Sequence, residues 1–336
     1  QYYNINEYGF WENNAYNLIR SKTDDEFAIL NNIEITDLKK IVDQWKNKLL
    51  VERAKRQPPR LDDKILTSWN ALMLKGYIDA YRVFNDNHFL DIALKNASFL
   101  EENIIKNDGS LFRSYKNKKA TINAYLEDYA TLIEAYISLY EVSLEDKWVL
   151  LAKKLSDYTF EHFYDKDSNM FFFTSDIDSK LITKKTELED NVIPSSNSIM
   201  AKNLTKLGHF FEDANYLKTS RQMVHNIAPL IENYPSSYSN WLDIYTHLSG
   251  SFYELAIVGE DAIQKIKEVN KHYIPNKVIC GRVSDIKNKS FSENEAEFPL
   301  LKNRFIQGTT MIYVCVNNSC NFPTNDSSIA LKQLSN

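Results

Sequence analysis

A repeat of paired amphipathic helices constrains this 336-residue chain more than any other feature of its sequence. Apolar residues at Ile65, Leu66, Trp69, Leu72, Met73, Tyr77, Ala80 and Val83 fall at three-and-four spacing, which predicts a one-sided helix. A polar Asn85-Asp86-Asn87 turn follows, and Phe89, Leu90, Ala93, Ala97, Leu100 and Ile104 continue the spacing, so the two helices form an antiparallel hairpin. The unit recurs in Leu126, Tyr129, Ala130, Ile133, Tyr136, Ile137 and Tyr140, followed by Trp148, Leu151, Ala152, Leu155 and Tyr158. A third copy occupies residues 195–207 and 214–231. The tripeptides Leu61-Asp62-Asp63, Leu126-Glu127-Asp128 and Leu188-Glu189-Asp190 mark where the first helices start, at intervals of 128 − 63 = 65 and 190 − 128 = 62 residues. A period of this length predicts stacked helix pairs that share one core. Amphipathic stretches at 35–54 and 241–255 are candidate further members of the array.

Between the copies lie strand-like aromatic segments, 109–115 and 170–173, each preceded by an Asp-rich turn. The pattern changes near Tyr253. Residues 253–258 read as a buried strand, 261–272 as a helix, 277–280 and 309–316 as further strands, and the acidic 292–297 stretch as an exposed loop. The expected organisation is therefore a mainly α, (α/α) toroid of helical hairpins over 1–252, with a small α/β lobe over 253–336. This length of chain does not require the toroid to be closed.

With 43% hydrophobic residues the chain can bury a large core. A net charge of −5 and the lack of any basic block argue against nucleic acid and anionic membranes as partners. No apolar run reaches the roughly 18 residues that cross a bilayer, and no signal peptide opens the chain, so a soluble, cytoplasmic protein is expected. The chain begins at Gln1 rather than methionine, as a piece of a longer protein would. Three cysteines, Cys280, Cys315 and Cys320, are too few for a disulfide framework. An Asn317-Asn318 turn would place Cys315 opposite Cys320 and permit a bridge, but a reducing compartment favours two free thiols.

The chemistry is expected where the helices start. Carboxylates there are stabilised by free amides and the helix dipole, and as caps each contributes about 0.5–2 kcal/mol. In a ring of hairpins, however, all inner helices open on one face, so the acidic tripeptides would converge on one cavity. Convergent carboxylates in unlike environments serve glycoside chemistry, one as acid and one as base or nucleophile. The candidate catalytic residues are Asp63, Asp128, Glu127 and Asp190, with Asp63 and Asp128 the first choices for acid and base work. Candidate substrate-binding residues are Asp62, Trp69, Asn70, Tyr125, Ser195, Ser196, Asn197 and Trp241, because hydroxyls and amides bond sugar hydroxyls while indole faces pack on pyranose rings. Of the six histidines, only His247, one turn after Asp243, is placed to reach the cavity. No cofactor motif and no metal-ligand spacing is present.

Residues 58–74 (Pro-Pro-Arg-Leu-Asp-Asp-Lys-Ile-Leu-Thr-Ser-Trp-Asn-Ala-Leu-Met-Leu), 125–135 (Tyr-Leu-Glu-Asp-Tyr-Ala-Thr-Leu-Ile-Glu-Ala) and 193–198 (Ile-Pro-Ser-Ser-Asn-Ser) resemble signatures of the thioredoxin-domain-containing, spermatogenesis-associated protein 20 family. The resemblance covers most of the chain. It implies a helical part similar to the N-acylglucosamine 2-epimerase and six-hairpin glycosidase superfamily, and a preceding thioredoxin-like domain that this chain lacks. The resemblance brings a fold and a superfamily rather than a substrate; the small-molecule or oligosaccharide substrate expected here follows from the convergent carboxylates. The superfamily's 2-epimerases rely on histidines for proton transfer, a pattern this chain does not repeat. The alternative expectation is a noncatalytic scaffold that binds a glycan or protein segment and partners the absent thioredoxin-like domain.

Overall fold

The computed structural model describes residues 1–179, 182–283, 298–317 and 319–334. It divides into two compact units, residues 1–62 and 63–336.

In the smaller unit, α1 (Asp24–Asn31) and α2 (Ile35–Ala54) follow one another closely. A reciprocal Thr23–Glu26 capping box starts α1, and left-handed Asn32 ends it. Tyr2, Ala28, Leu38 and Val42 form its core.

In the larger unit three hairpins follow in order: α3 (Thr67–Phe84) with α4 (Asn87–Asn103), α5 (Leu126–Ser143) with α6 (Asp146–His162), and α7 (Ser196–Phe211) with α8 (Ala214–Asn233). A shorter α9 (Ser239–Ser249) packs on α7 and α8. Each hairpin turns in the same way. A residue in the left-handed region ends the first helix (Asn85, Leu144 and Glu212, φ +53°, +57° and +51°), and an acid at the next position starts the second (Asp86, Glu145, Asp213). The left-handed residue lets its own amide bond back to the last turn, and Asp86 and Asp213 cap free amides of the following helix. Glycine appears where the two helices of the third hairpin touch. A Cβ on Gly208 would lie 2.6 Å from Leu217 Cγ.

The first helices are inner and pack side by side, α3 on α5 and α5 on α7, with α4, α6 and α8 outside. Central α5 has neighbours on both flanks, so 15 of its 18 residues are buried. α3 buries Ala71, Leu74, Ile78 and Tyr81, which is not the stripe expected from the sequence. Trp69, Met73 and Val83 of that stripe are exposed. The helix is apolar on two faces, and the face that meets α5 is the one that is buried.

Short strands join the hairpins. β1 (Ile65–Leu66), β2 (Phe112–Lys116) and β3 (Lys119–Asn123) form an antiparallel sheet, and β4 (Tyr164–Asp165) pairs with β5 (Met170–Phe171). The expected first helix thus begins at Thr67, because Ile65 and Leu66 are drawn into pairing with Tyr115 and Ser114. The 241–255 stretch also divides. α9 stops at Ser249, before extended Gly250, and a strand follows.

That strand, β6 (Tyr253–Val258), lies between parallel β7 (Lys277–Arg282) and antiparallel β8 (Met311–Val316), with β9 (Ser319–Cys320) at the edge. α10 (Ala262–Asn270) makes the crossover from β6 to β7, and α11 (Ser327–Gln333) closes the described chain. Alternation along the strands splits the sheet between two cores. Ala256, Val258, Val278 and Cys280 join the helical core, whereas Leu255, Ile257, Ile279 and Val314 pack with Ile266 of α10 and Ala330 of α11. The acidic 292–297 stretch and Asn318 lie outside the described residues. Cys315 and Cys320 are directly opposed on β8 and β9 and are joined by a disulfide, contrary to the free thiols expected from the compartment argument. Among the described residues, no helix is long and apolar enough to cross a membrane.

Candidate functional site: the acidic starts of the inner helices

The start of α5 carries two acids with opposite surroundings. Asp128 is fully buried. Its Oδ1 accepts the Ser68 amide of α3 at 3.0 Å, and its Oδ2 accepts the Tyr125 amide and Arg113 Nη1, both at 3.0 Å. Burial pushes its carboxyl up to about 6, against the pull of Arg113 and the amides of Tyr125 and Ser68. Glu127, the preceding residue, keeps 15% of its side chain exposed. Its Oε1 accepts the Ser68 hydroxyl at 2.7 Å and stands 3.7 Å from Arg113 Nη2. Arg113 reaches the pair from β2 and lies over the Tyr125 ring, 4.7 Å from its centre.

The next helix starts join through the chain that precedes α7. The Leu126 amide donates to Phe173 O at 3.0 Å, and Asn197 grips Phe171 through both its amide and its carbonyl. Glu187 accepts the Ser196 amide at 3.1 Å. Asp190 then couples α7 to α9. Its Oδ1 accepts the Ser195 amide and the Ser198 hydroxyl, and its Oδ2 accepts the Asn240 amide at 2.8 Å. Trp241 is fully buried, with Nε1 donating to Leu188 O. The starts of α3, α5, α7 and α9 are therefore stitched together at one end of the array. Much of the stitching is done by carboxylates that accept from a neighbour's free amides.

The three acidic tripeptides do not occupy equivalent places. Leu126-Glu127-Asp128 is the first turn of α5, but Asp63 precedes α3 by four residues (67 − 63) and Asp190 precedes α7 by six (196 − 190). Asp63 is half exposed and ion-paired with Lys116, whose ammonium holds the Asp63 carboxyl below its usual range. Lys116 and Arg113 are three positions apart on β2, about 10 Å, and so point to opposite faces. Asp63 thus stands apart from Asp128. Asp62 is the last residue of the smaller unit and is exposed. Trp69 is 67% exposed, one residue beyond Ser68, while the Asn70 side chain bonds its own helix start at Leu66 O. Ser195, Ser196 and Asn197 are buried, and Ser196 Oγ has no partner among the described residues. Arg113 was not singled out in the sequence, although it is the only charged residue in the 109–115 segment. Glu187 was missed because nothing local marks it. His247 is partly buried, 3.8 Å from Asp243, and desolvation lowers its pKa. Among the described residues, no three His, Cys, Asp or Glu side chains are grouped so as to hold a metal.

Fold and site together define a protein of packed α-helical hairpins, with carboxylates at one end of its inner helices and a small C-terminal α/β lobe. No family model matches the chain. Its curated homologues include spermatogenesis-associated protein 20 of Homo sapiens, 25% identical over 308 residues and covering 88% of this chain. An uncharacterized protein of Caenorhabditis elegans is also 25% identical, over 90% of the chain. The chain spans 39% and 42% of the lengths of these two relatives. Similar solved structures include a cellobiose 2-epimerase of Bacillus thermoamylovorans (17% identity, 50% of this chain and 45% of that one, TM-score 0.41). A glycoside hydrolase family 76 alpha-mannanase of Bacteroides thetaiotaomicron has 14% identity over 65% of this chain and 58% of its own, with TM-score 0.45. An unsaturated glucuronyl hydrolase of a Bacillus species has 12% identity over 52% of this chain and 49% of its own, with TM-score 0.41.

Proposed function

We propose that the acidic end of the helices is a carbohydrate site in which Glu127 transfers the proton and buried Asp128, paired with partly exposed Arg113, positions it. One observation carries this reading: a fully buried carboxyl and a guanidinium are held at the junction of α3 and α5 beside a second carboxyl that still meets solvent. Burying a carboxylate is a poor way to gain stability even with a cation beside it, so Asp128 fits a role in orienting Glu127. Exposed Trp69 follows Ser68 directly and offers an indole face of the kind that packs on a pyranose ring, and Tyr125 precedes the two acids. Ser68, bonded to Glu127, fixes the carboxyl while leaving its other oxygen for a substrate hydroxyl. Asp63 pairs with Lys116, on the face of β2 opposite Arg113, and is not grouped with Asp128, while Asp190 has both oxygens committed to helix amides. Asn70, Ser195, Ser196, Asn197 and Trp241 are assigned to the frame of the site, and Asp62, which ends the other unit, has no part in it.

A noncatalytic reading is favoured by Asp190 itself, whose bonds are those of a cap shared by two helices. On that reading the end is a glycan- or protein-binding scaffold that serves a thioredoxin-like domain.

Proton NMR of the protein with a panel of mono- and disaccharides distinguishes the two. Turnover of one sugar by the wild type, lost in Glu127→Gln with an unchanged melting temperature, is the expected result. Binding without turnover supports the scaffold, and neither binding nor turnover of any sugar overturns the assignment.

A further inference from the structure

At the opposite end of the same helices lies a cavity of about 440 Å³, between the last turns of α3 and α5 and the 270–277 connection that enters β7. Its floor is Glu141, only 5% exposed. Glu141 is gripped by Arg82 Nη2 at 2.8 Å and Lys206 Nζ at 3.2 Å, and its Oε1 accepts the Ile279 amide. Lys277 also lines the cavity, but its ammonium donates to the Ile274 carbonyl and has no carboxylate at ion-pair distance among the described residues. Asp79, on the rim, is shared between Lys75 and Arg82.

Charge counting sets the ligand. The lining carries Arg82, Lys206 and Lys277, with Lys271 exposed at the mouth, against Asp79 and Glu141, so 4 − 2 leaves two positive charges in excess, one of them solvated. A structural ion cluster has no use for Lys277, because a largely buried ammonium without a carboxylate partner costs lost solvation. The excess is felt at Lys277. Burial pushes its ammonium down to about 8, with Arg82 and Lys206 adding to the shift and Glu141 opposing it. Beyond the cations the wall carries apolar Val83, Ile274 and Pro275 with the Tyr273 ring, of which Val83 and Tyr273 are exposed at the mouth, beside Asn270 and His272.

We propose that this cavity binds a small organic phosphate monoester, its dianionic head between Arg82, Lys206 and Lys277 and its organic body against the apolar wall. A phosphomonoester carries about −1.5 to −2 charges at pH 7, which matches the excess, and its three terminal oxygens suit an arginine fork and two lysines. A monocarboxylate would neutralise only half. The cavity and the acidic end share α3 and α5 but no side chain, so this assignment is independent of the sugar reading.

Calorimetric titration of the full chain with phenyl phosphate, inorganic phosphate and benzoate tests it. Phenyl phosphate should bind more tightly than either other ligand, and Lys277→Met should weaken it by at least about tenfold. A second measurement covers a variant that fails to fold. On the wild type, phenyl phosphate should slow trinitrobenzenesulfonate labelling of Lys277, read by peptide mass, while leaving exposed Lys40 unaffected. Benzoate binding as tightly as phenyl phosphate, affinity unchanged in Lys277→Met, or equal protection of Lys40 would each overturn the proposal.

Discussion

Asp128 and Glu141 are two buried carboxyls on one helix, 13 residues apart (141 − 128), and they are held in opposite electrostatic states. Burial pushes both upward. At Asp128 a single guanidinium and two amides do not overcome it, and the carboxyl stays raised at about 6. At Glu141, Lys206, Arg82 and Lys277 together outweigh desolvation, and the carboxyl is lowered. Burial alone therefore does not set the state of a carboxyl. The number of cations that neighbouring elements bring to it decides, and here those cations arrive from β2 at one end and from α3, α7 and β7 at the other. The end with one cation holds a carboxyl raised to about 6, whereas the end with three has positive charge to spare.

The comparison is broken most severely at the cationic end. Glu141→Gln leaves Arg82, Lys206 and Lys277 facing one another without their anion, and urea unfolding should show a loss of about 3–5 kcal/mol. A loss under about 1 kcal/mol would mean that the cluster relaxes into solvent.

At the other end Asp128→Asn keeps one acceptor oxygen but leaves a buried donor unmet, for a smaller cost of about 1–3 kcal/mol. Its sharper signature is the pH profile. A carboxyl raised in the folded state binds its proton more tightly there than in the unfolded chain. Wild-type stability should therefore fall as pH rises from 3.8 to about 6, relative to the variant. Glu141, lowered on folding, has the opposite sign. Its contribution is present above its ordinary value of 4.5 and is lost as pH falls through its folded value. Parallel stability profiles for Asp128→Asn and the wild type between pH 4 and 6 would show that Asp128 is not raised.

The smallest effect belongs to Asp63→Asn. This half-exposed residue pairs with Lys116 at the surface, so the melting temperature should not change. A clear drop would place Asp63 in the load of the β1–β2 sheet.

The helical order was legible in the sequence wherever one helix offered one apolar stripe. The stretch 35–54 is α2 residue for residue, and the starts of α7 and α8 fall within a residue of expectation. α3 resisted because it carries two apolar faces, and nothing local tells Leu74 and Ile78 from Trp69 and Met73. At the acidic end, Tyr125, Glu127 and Asp128 could be picked out because they open a helix. Arg113 could not be connected to them, since only the pairing of β2 with β1 carries it to the start of α5. Cys315 and Cys320 show the same division. Their opposition followed from the turn, while the bridge itself ran against an argument drawn from compartment and composition.

By itself, then, the sequence determined the hairpins, their acid-marked turns and the acidic tripeptide of α5, because these depend on periodicities and caps within a few residues. Tertiary structure alone decided which face of α3 is covered, which buried acid is raised and which lowered, and where positive charge collects. Those outcomes depend on desolvation and Coulomb energies between residues 15 to 138 positions apart, such as Arg113 with Asp128 and Ile279 with Glu141, and no local pattern encodes them.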